Sequence, residues 1–159
     1  MSLKDIFPRV FYVVGIVAFL LIIWLLPPVS DWFNAFVKLK PMRIPYTVVF
    51  FISLFFLLFF LYPIADKKPF FALLISGFFS GQLISFLSIF IANFFIKNGI
   101  ERTIKTIDQE GIFNVFLTDF SVALILGGWL ISIVSIIILK FAVKRVARQA
   151  ELAARHPPE

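Results

Sequence analysis

Few side chains in this sequence could do chemistry, and their spacing withholds the partners that chemistry needs. The only histidine, His156, sits in a Pro-flanked tail, and no second imidazole exists anywhere in the chain. Haem ligation, phosphotransfer through histidine and histidine-based proton transfer therefore lack their parts. Cysteine is absent, which removes disulfides, thiolate metal sites and a cysteine nucleophile together. No Asp, Glu, Lys or Arg falls in the middle of a long apolar stretch. Intramembrane proteases and proton-coupled carriers rely on such buried ionisable groups, so neither chemistry is expected. The chain also lacks a Gly-rich phosphate loop and any metal-ligand spacing. The expectation is a protein that is not an enzyme and holds no cofactor or metal.

The polar residue that stands out is Gln82, central in a long apolar stretch. An amide in hydrocarbon is costly unless hydrogen-bonded, so Gln82 is expected to face protein, with Ser132 or Ser135 as its partner. A contact with a binding partner inside the bilayer is the alternative. Around it Gly77, Gly81, Ser85, Ser88 and Ala92 form a stripe of small residues, and Gly77 and Gly81 make a GxxxG pair. On the fourth stretch Ala123 and Gly127 lie four apart, and Gly128, Ser132 and Ser135 form a neighbouring small face. Small residues let helix backbones approach closely. The two faces are expected to pack on each other within one chain; a homodimer or a docking face for another membrane protein is the sharper reading. Gly77, Gly81, Gln82, Ser85, Ser88, Gly127, Gly128 and Ser132 are thus the candidate packing or partner face.

The elements that carry these residues follow from composition. Of the 159 residues, 61% are apolar, 18% aromatic and 15% charged, and 23 are Phe. A soluble domain has about 25% charged residues, so this chain cannot clothe a water-facing surface. Four uncharged apolar stretches, about 10–26, 46–64, 70–96 and 120–139, are bounded by charges or Pro. About 20 helical residues span a hydrocarbon core of roughly 30 Å, and none of the stretches alternates as a barrel strand does. The expected fold is an all-α integral membrane protein: a single domain over 1–159 with four transmembrane helices and a basic tail over 140–159. The first stretch is expected to be a retained anchor, because no small-x-small cleavage site follows it. The second, walled with Phe50, Phe51, Phe55, Phe56, Phe59 and Phe60, is expected to face lipid.

Short interfacial helices are expected in the two loops that follow the first and third stretches. In the first, Ser30 would cap a helix carrying Trp32, Phe33, Phe36 and Val37 on one face. In the second, Ile100, Ile104 and Ile107 share a face between breaks at Asn98-Gly99 and Gly111. Asp119 is placed to cap the fourth span.

Four spans put both termini and the Asp66–Pro69 turn on one side, with nine of the 15 basic residues. The positive-inside rule then places that side in the cytoplasm of a bacterial-type inner membrane. Lys140, Lys144, Arg145 and Arg148 continue the last helix outward and are expected to contact anionic head groups, at about 1 kcal/mol per basic residue. Nothing interleaves Arg with exposed aromatics on a soluble face, so nucleic acid is not an expected partner.

In gross plan (four spans, ends inside, short loops, a basic tail) the chain is similar to some colicin-type immunity proteins and equally to many small accessory subunits. The preferred expectation is a non-catalytic membrane protein that binds another membrane protein, or itself, in an accessory, exclusion or toxin-immunity role. The alternative is a small subunit of a transporter or channel.

Overall fold

The computed structural model describes residues 3–36 and 42–155. Among these described residues are seven helices in chain order: α1 (Leu3–Leu25), α2 (Pro27–Phe36), α3 (Arg43–Leu61), α4 (Phe70–Phe95), α5 (Gly99–Glu110), α6 (Ile112–Leu126) and α7 (Gly128–Arg155). No strand occurs among the described residues. Helices α1, α3 and α4 are each long and apolar enough to cross a membrane. The pair α5 and α6, bent by 115°, raises the number to four if it counts as one broken crossing. Helices satisfy their own backbone groups in lipid, which is why apolar stretches of this length adopt them. The chain is an all-α, multi-pass membrane protein.

The interior and exterior are arranged for lipid. Ser85, Ser88, Ser132 and Ser135 are fully buried and Gln82 is 3% exposed, whereas Phe56, Phe60, Phe71, Phe79 and Phe113 point outward. Without a hydrophobic driving force between helices in a bilayer, small and polar residues hold the inside together. Helix α4 is the central element. It packs against α3, α5, α6 and α7.

Several local expectations need correction. The stretch 120–139 is not one helix: it divides at Gly127, whose φ of +74° lies in the left-handed region. Glycine reaches that region without steric cost, so the chain can leave α6 and re-enter a helix at once. Asp119 consequently lies inside α6 and caps nothing. Pro27 and Pro28 do end α1, but they also begin α2, because a proline at the first helical position loses no internal hydrogen bond. Ser30 is therefore inside α2, its amide bonded to the Leu26 carbonyl, and is not its cap. The side chains of Phe33 and Phe36, on which the expected apolar face rests, lie outside what the structure describes, as do Val37 and His156.

Helix α3 is not a lipid-facing wall either. Phe50, Phe51, Leu54 and Leu58 are buried, and only Phe56 and Phe60 of its expected Phe wall are largely exposed. Helix α1 begins seven residues before the expected apolar boundary at Val10, and Arg9 is buried within it. The Phe59 carbonyl would ordinarily pair with the amide four residues on, but that residue is Pro63 and has none. Arg9 Nε donates to this carbonyl instead, and its guanidinium lies 4.0 Å from the centre of the Phe59 ring.

Candidate functional site

The small-residue faces of α4 and α7 meet in an antiparallel seam. A Cβ added to Gly77 would stand 3.1 Å from Ile136 Cδ1 and 3.3 Å from Ile133 Cα. At Gly81 it would stand 2.5 Å from Ser132 Cβ and 2.7 Å from Trp129 Cα, closer than real side chains approach. Further along, a Cβ on Gly128 would stand 2.7 Å from Ser85 Cβ and 2.9 Å from Phe50 Cε2. Ser85 is thus packed by α7 on one side. On another it shares a 2.8 Å hydrogen bond with the Tyr46 hydroxyl of α3. Tyr46 stacks on Phe50 with centroids 5.7 Å apart and lies 5.9 Å from the Trp24 ring of α1. The Trp24 indole N–H donates to Thr47 Oγ1 at 2.9 Å. Four helices converge at this one level.

Gln82 does not bond to Ser132 or Ser135. Its amide nitrogen donates to the Phe120 carbonyl of α6 at 3.0 Å, while Gln82 Oε1 and Ser132 Oγ are buried without a hydrogen-bond partner. Ser135 donates instead to the Ser132 carbonyl, and Ser88 to that of Ile84. The amide therefore ties α4 to α6, and phenylalanines reinforce the contact: Phe86 lies 5.8 Å from Phe116, and Phe90 5.5 Å from the same ring.

The helix breaks at Leu26 and Gly127 flank one apolar cleft of about 510 Å³. All three tryptophans of the chain line it: Trp24 from the end of α1, Trp32 from α2 and Trp129 from the start of α7. Leu20, Val29, Ile125 and Leu130 complete its walls. The Trp129 indole N–H is held by the Leu124 carbonyl at 3.0 Å, so its ring stands fixed across the α6–α7 break. The signal that sequence reading passed over was the position of each tryptophan, beside a proline pair or a glycine pair where a helix must stop.

A second, polar pocket of about 210 Å³ lies where α4 ends, between α5 and α6. It exists because the chain reverses at Asn98, whose φ is +59°, and because Gly99 lets α5 sit directly on the Asn93 carbonyl. At the opposite end, Lys140 does not point freely to solvent: its ammonium donates to the carbonyls of Lys68 at 2.7 Å and Ala65 at 3.2 Å. These carbonyls belong to the turn joining α3 and α4. Lys144, Arg145 and Arg148 are exposed and, with Phe141, line a shallow groove of about 400 Å³. No cluster of metal-ligating side chains occurs among the described residues.

Comparison with protein-family models, with curated proteins and with solved structures finds no match to this chain.

Proposed function

We propose that this protein is a non-catalytic inner-membrane protein that binds another membrane protein through the tryptophan-walled cleft. The observation that carries the reading is the cleft itself. Two helix breaks hold three aromatic indoles around an apolar volume of about 510 Å³ that no segment of the described chain fills. Large amphipathic rings in a preformed depression are the groups that dominate binding energy at protein interfaces. An apolar transmembrane segment or hairpin of a partner is the occupant that suits such walls. An accessory, exclusion or toxin-immunity role is consistent with it.

In this reading the chain crosses the membrane four times. The last crossing is α6 with the apolar first half of α7 around Gly127 rather than the bent α5–α6 pair, because α5 carries Glu101, Arg102, Lys105, Asp108 and Glu110. Both termini and the α3–α4 turn face the cytoplasm, where nine of the 15 basic residues then lie. Lys144, Arg145 and Arg148 anchor the last helix on anionic head groups. The seam through Gly77, Gly81, Ser85, Gly128 and Ser132 serves packing within the chain, and the partner engages elsewhere.

The test is a photo-activatable phenylalanine analogue at Ile125, inside the cleft, compared with one at Phe79, exposed on α4. Irradiation of cells should give one discrete protein adduct from Ile125 and none from Phe79. The adduct should weaken when Trp32 is replaced by Ala. Lipid adducts alone from both positions would refute the assignment.

A further inference from the structure

The polar pocket at the end of α4 has a chemistry of its own, separate from the apolar cleft. Three threonines line it, and each donates its one hydroxyl proton within its own helix. Thr103 donates to the Gly99 carbonyl at 2.7 Å, Thr106 to Arg102 at 2.8 Å and Thr118 to Asn114 at 2.9 Å. A hydroxyl whose proton is engaged offers only lone pairs. Asp119 lines the same pocket, and its Oδ2 is buried without any hydrogen-bond partner. An oxygen of this kind is costly to bury unless a donor reaches it. The threonine hydroxyls therefore offer acceptors only, and the donors on the walls, the Asn93 amide and the Arg102 guanidinium, leave Asp119 Oδ2 unsatisfied. Its charged lining is Asp119 and Glu110 against Arg102.

We propose that this pocket binds a phospholipid headgroup in which a primary ammonium lies next to a phosphate, as in phosphoethanolamine lipids. The ammonium supplies three N–H donors, and Asp119 is its counter-ion. Arg102, on the same wall, takes the phosphate. A trimethylammonium headgroup carries the same charge but has no N–H to give, so the orphaned carboxylate oxygen distinguishes the two. The surroundings suit a lipid better than a soluble amine. Ile100 and Ile104 of α5 are 56% and 54% exposed, and Ile112 and Leu117 of α6 are each 54% exposed. Both helices that wall the pocket thus carry exposed apolar side chains, against which acyl chains would lie. Helix α5 turns its small and polar face, Gly99 and Thr103, inward and its isoleucines outward.

The experiment uses the purified full chain in vesicles of phosphatidylglycerol mixed with either phosphatidylethanolamine or phosphatidylcholine. Lipid retained after mild detergent extraction is counted by native mass spectrometry. One phosphatidylethanolamine per chain should be retained, about tenfold over phosphatidylcholine, the ratio for losing one charge-assisted hydrogen bond. Asp119→Asn should bring that preference to within about twofold of unity, and Arg102→Gln should lower retention of both lipids. Should Asp119→Asn fold poorly, Thr106→Val removes one acceptor and should reduce the preference alone. Equal retention of both lipids by the parent protein would overturn the proposal, as would an unchanged preference in folded Asp119→Asn. Displacement of the lipid by millimolar soluble phosphoethanolamine would overturn the lipid assignment. Preferential displacement by a lysine-bearing transmembrane peptide would reassign the pocket to a protein partner, and overturn it equally.

Discussion

The hydroxyls of Tyr46 and Ser85 lie 2.8 Å apart in a fully buried hydrogen bond that joins α3 to α4. Gly128 of α7 presses on the same serine, and Trp24 of α1 lies against the same tyrosine. Through this contact α1 and α7, two of the helices that wall the apolar cleft, are braced against α3 and α4. Removing it should cost stability at the level from which the cleft is built. Tyr46→Phe and Ser85→Ala should each destabilise the protein by about 1 kcal/mol, and the double variant should be little worse than the worse single one. Thermal or denaturant unfolding in detergent micelles gives the comparison. Additive losses would mean that the hydroxyls act independently.

The glycines should respond in a definite order. Gly81→Ala places a Cβ 2.5 Å from Ser132 Cβ and 2.7 Å from the α7 backbone at Trp129, so the helices must part. Overpacking of this kind costs roughly 1–3 kcal/mol. Gly77→Ala meets first the mobile end of Ile136, at 3.1 Å, and should cost less. Gly15 has nothing within 4 Å, and its replacement by Ala should be neutral or stabilising by up to about 1 kcal/mol. Unfolding midpoints of the three variants rank them directly. Equal losses at all three would contradict the seam.

Much of this was legible from residue types, and the exceptions have physical causes. The apolar stretches and the two small-residue faces follow from composition and spacing, since only small side chains permit a helix contact as close as that at Gly81. The buried face of α3 could not be seen, because a helix apolar all round carries no periodic signal of which side meets protein. Gly127 and Gly128 were visible as small residues, but their different roles were not: one turns the backbone at φ +74°, the other admits Ser85. Gln82 meets the carbonyl of Phe120 rather than a serine hydroxyl, because α6 as well as α7 packs against α4. Arg9 was excluded from the helix by its charge. The Phe59 carbonyl, left free by the missing amide of Pro63, and the Phe59 ring both receive the guanidinium there.

Gln82 separates packing from partner binding. If its amide serves only to tie α4 to α6, Gln82→Leu should cost about 0.6 kcal/mol, the average for interhelical hydrogen bonds in membranes. The cross-linked adduct from Ile125 should then persist at normal yield. Loss of the adduct with unchanged protein level would place a partner contact at Gln82.

Topology is open to a simple check. Reporter fusions after Lys68 and after Glu159 should both report cytoplasm, since nine of the 15 basic residues then lie on that side. A signal from the far side at either fusion would contradict four crossings with the ends inside.

The absence of cysteine allows the cleft itself to be probed. Val29 lines the cleft, whereas Ile44, at the start of α3, is 76% exposed outside it. Single Val29→Cys and Ile44→Cys variants can be labelled with a maleimide, first in native membranes and then after reconstitution of the pure protein into lipid alone. An occupied cleft should shield Cys at position 29 in native membranes and release it on reconstitution, while position 44 labels equally in both. Equal labelling of position 29 in the two preparations would contradict a protein partner in the cleft.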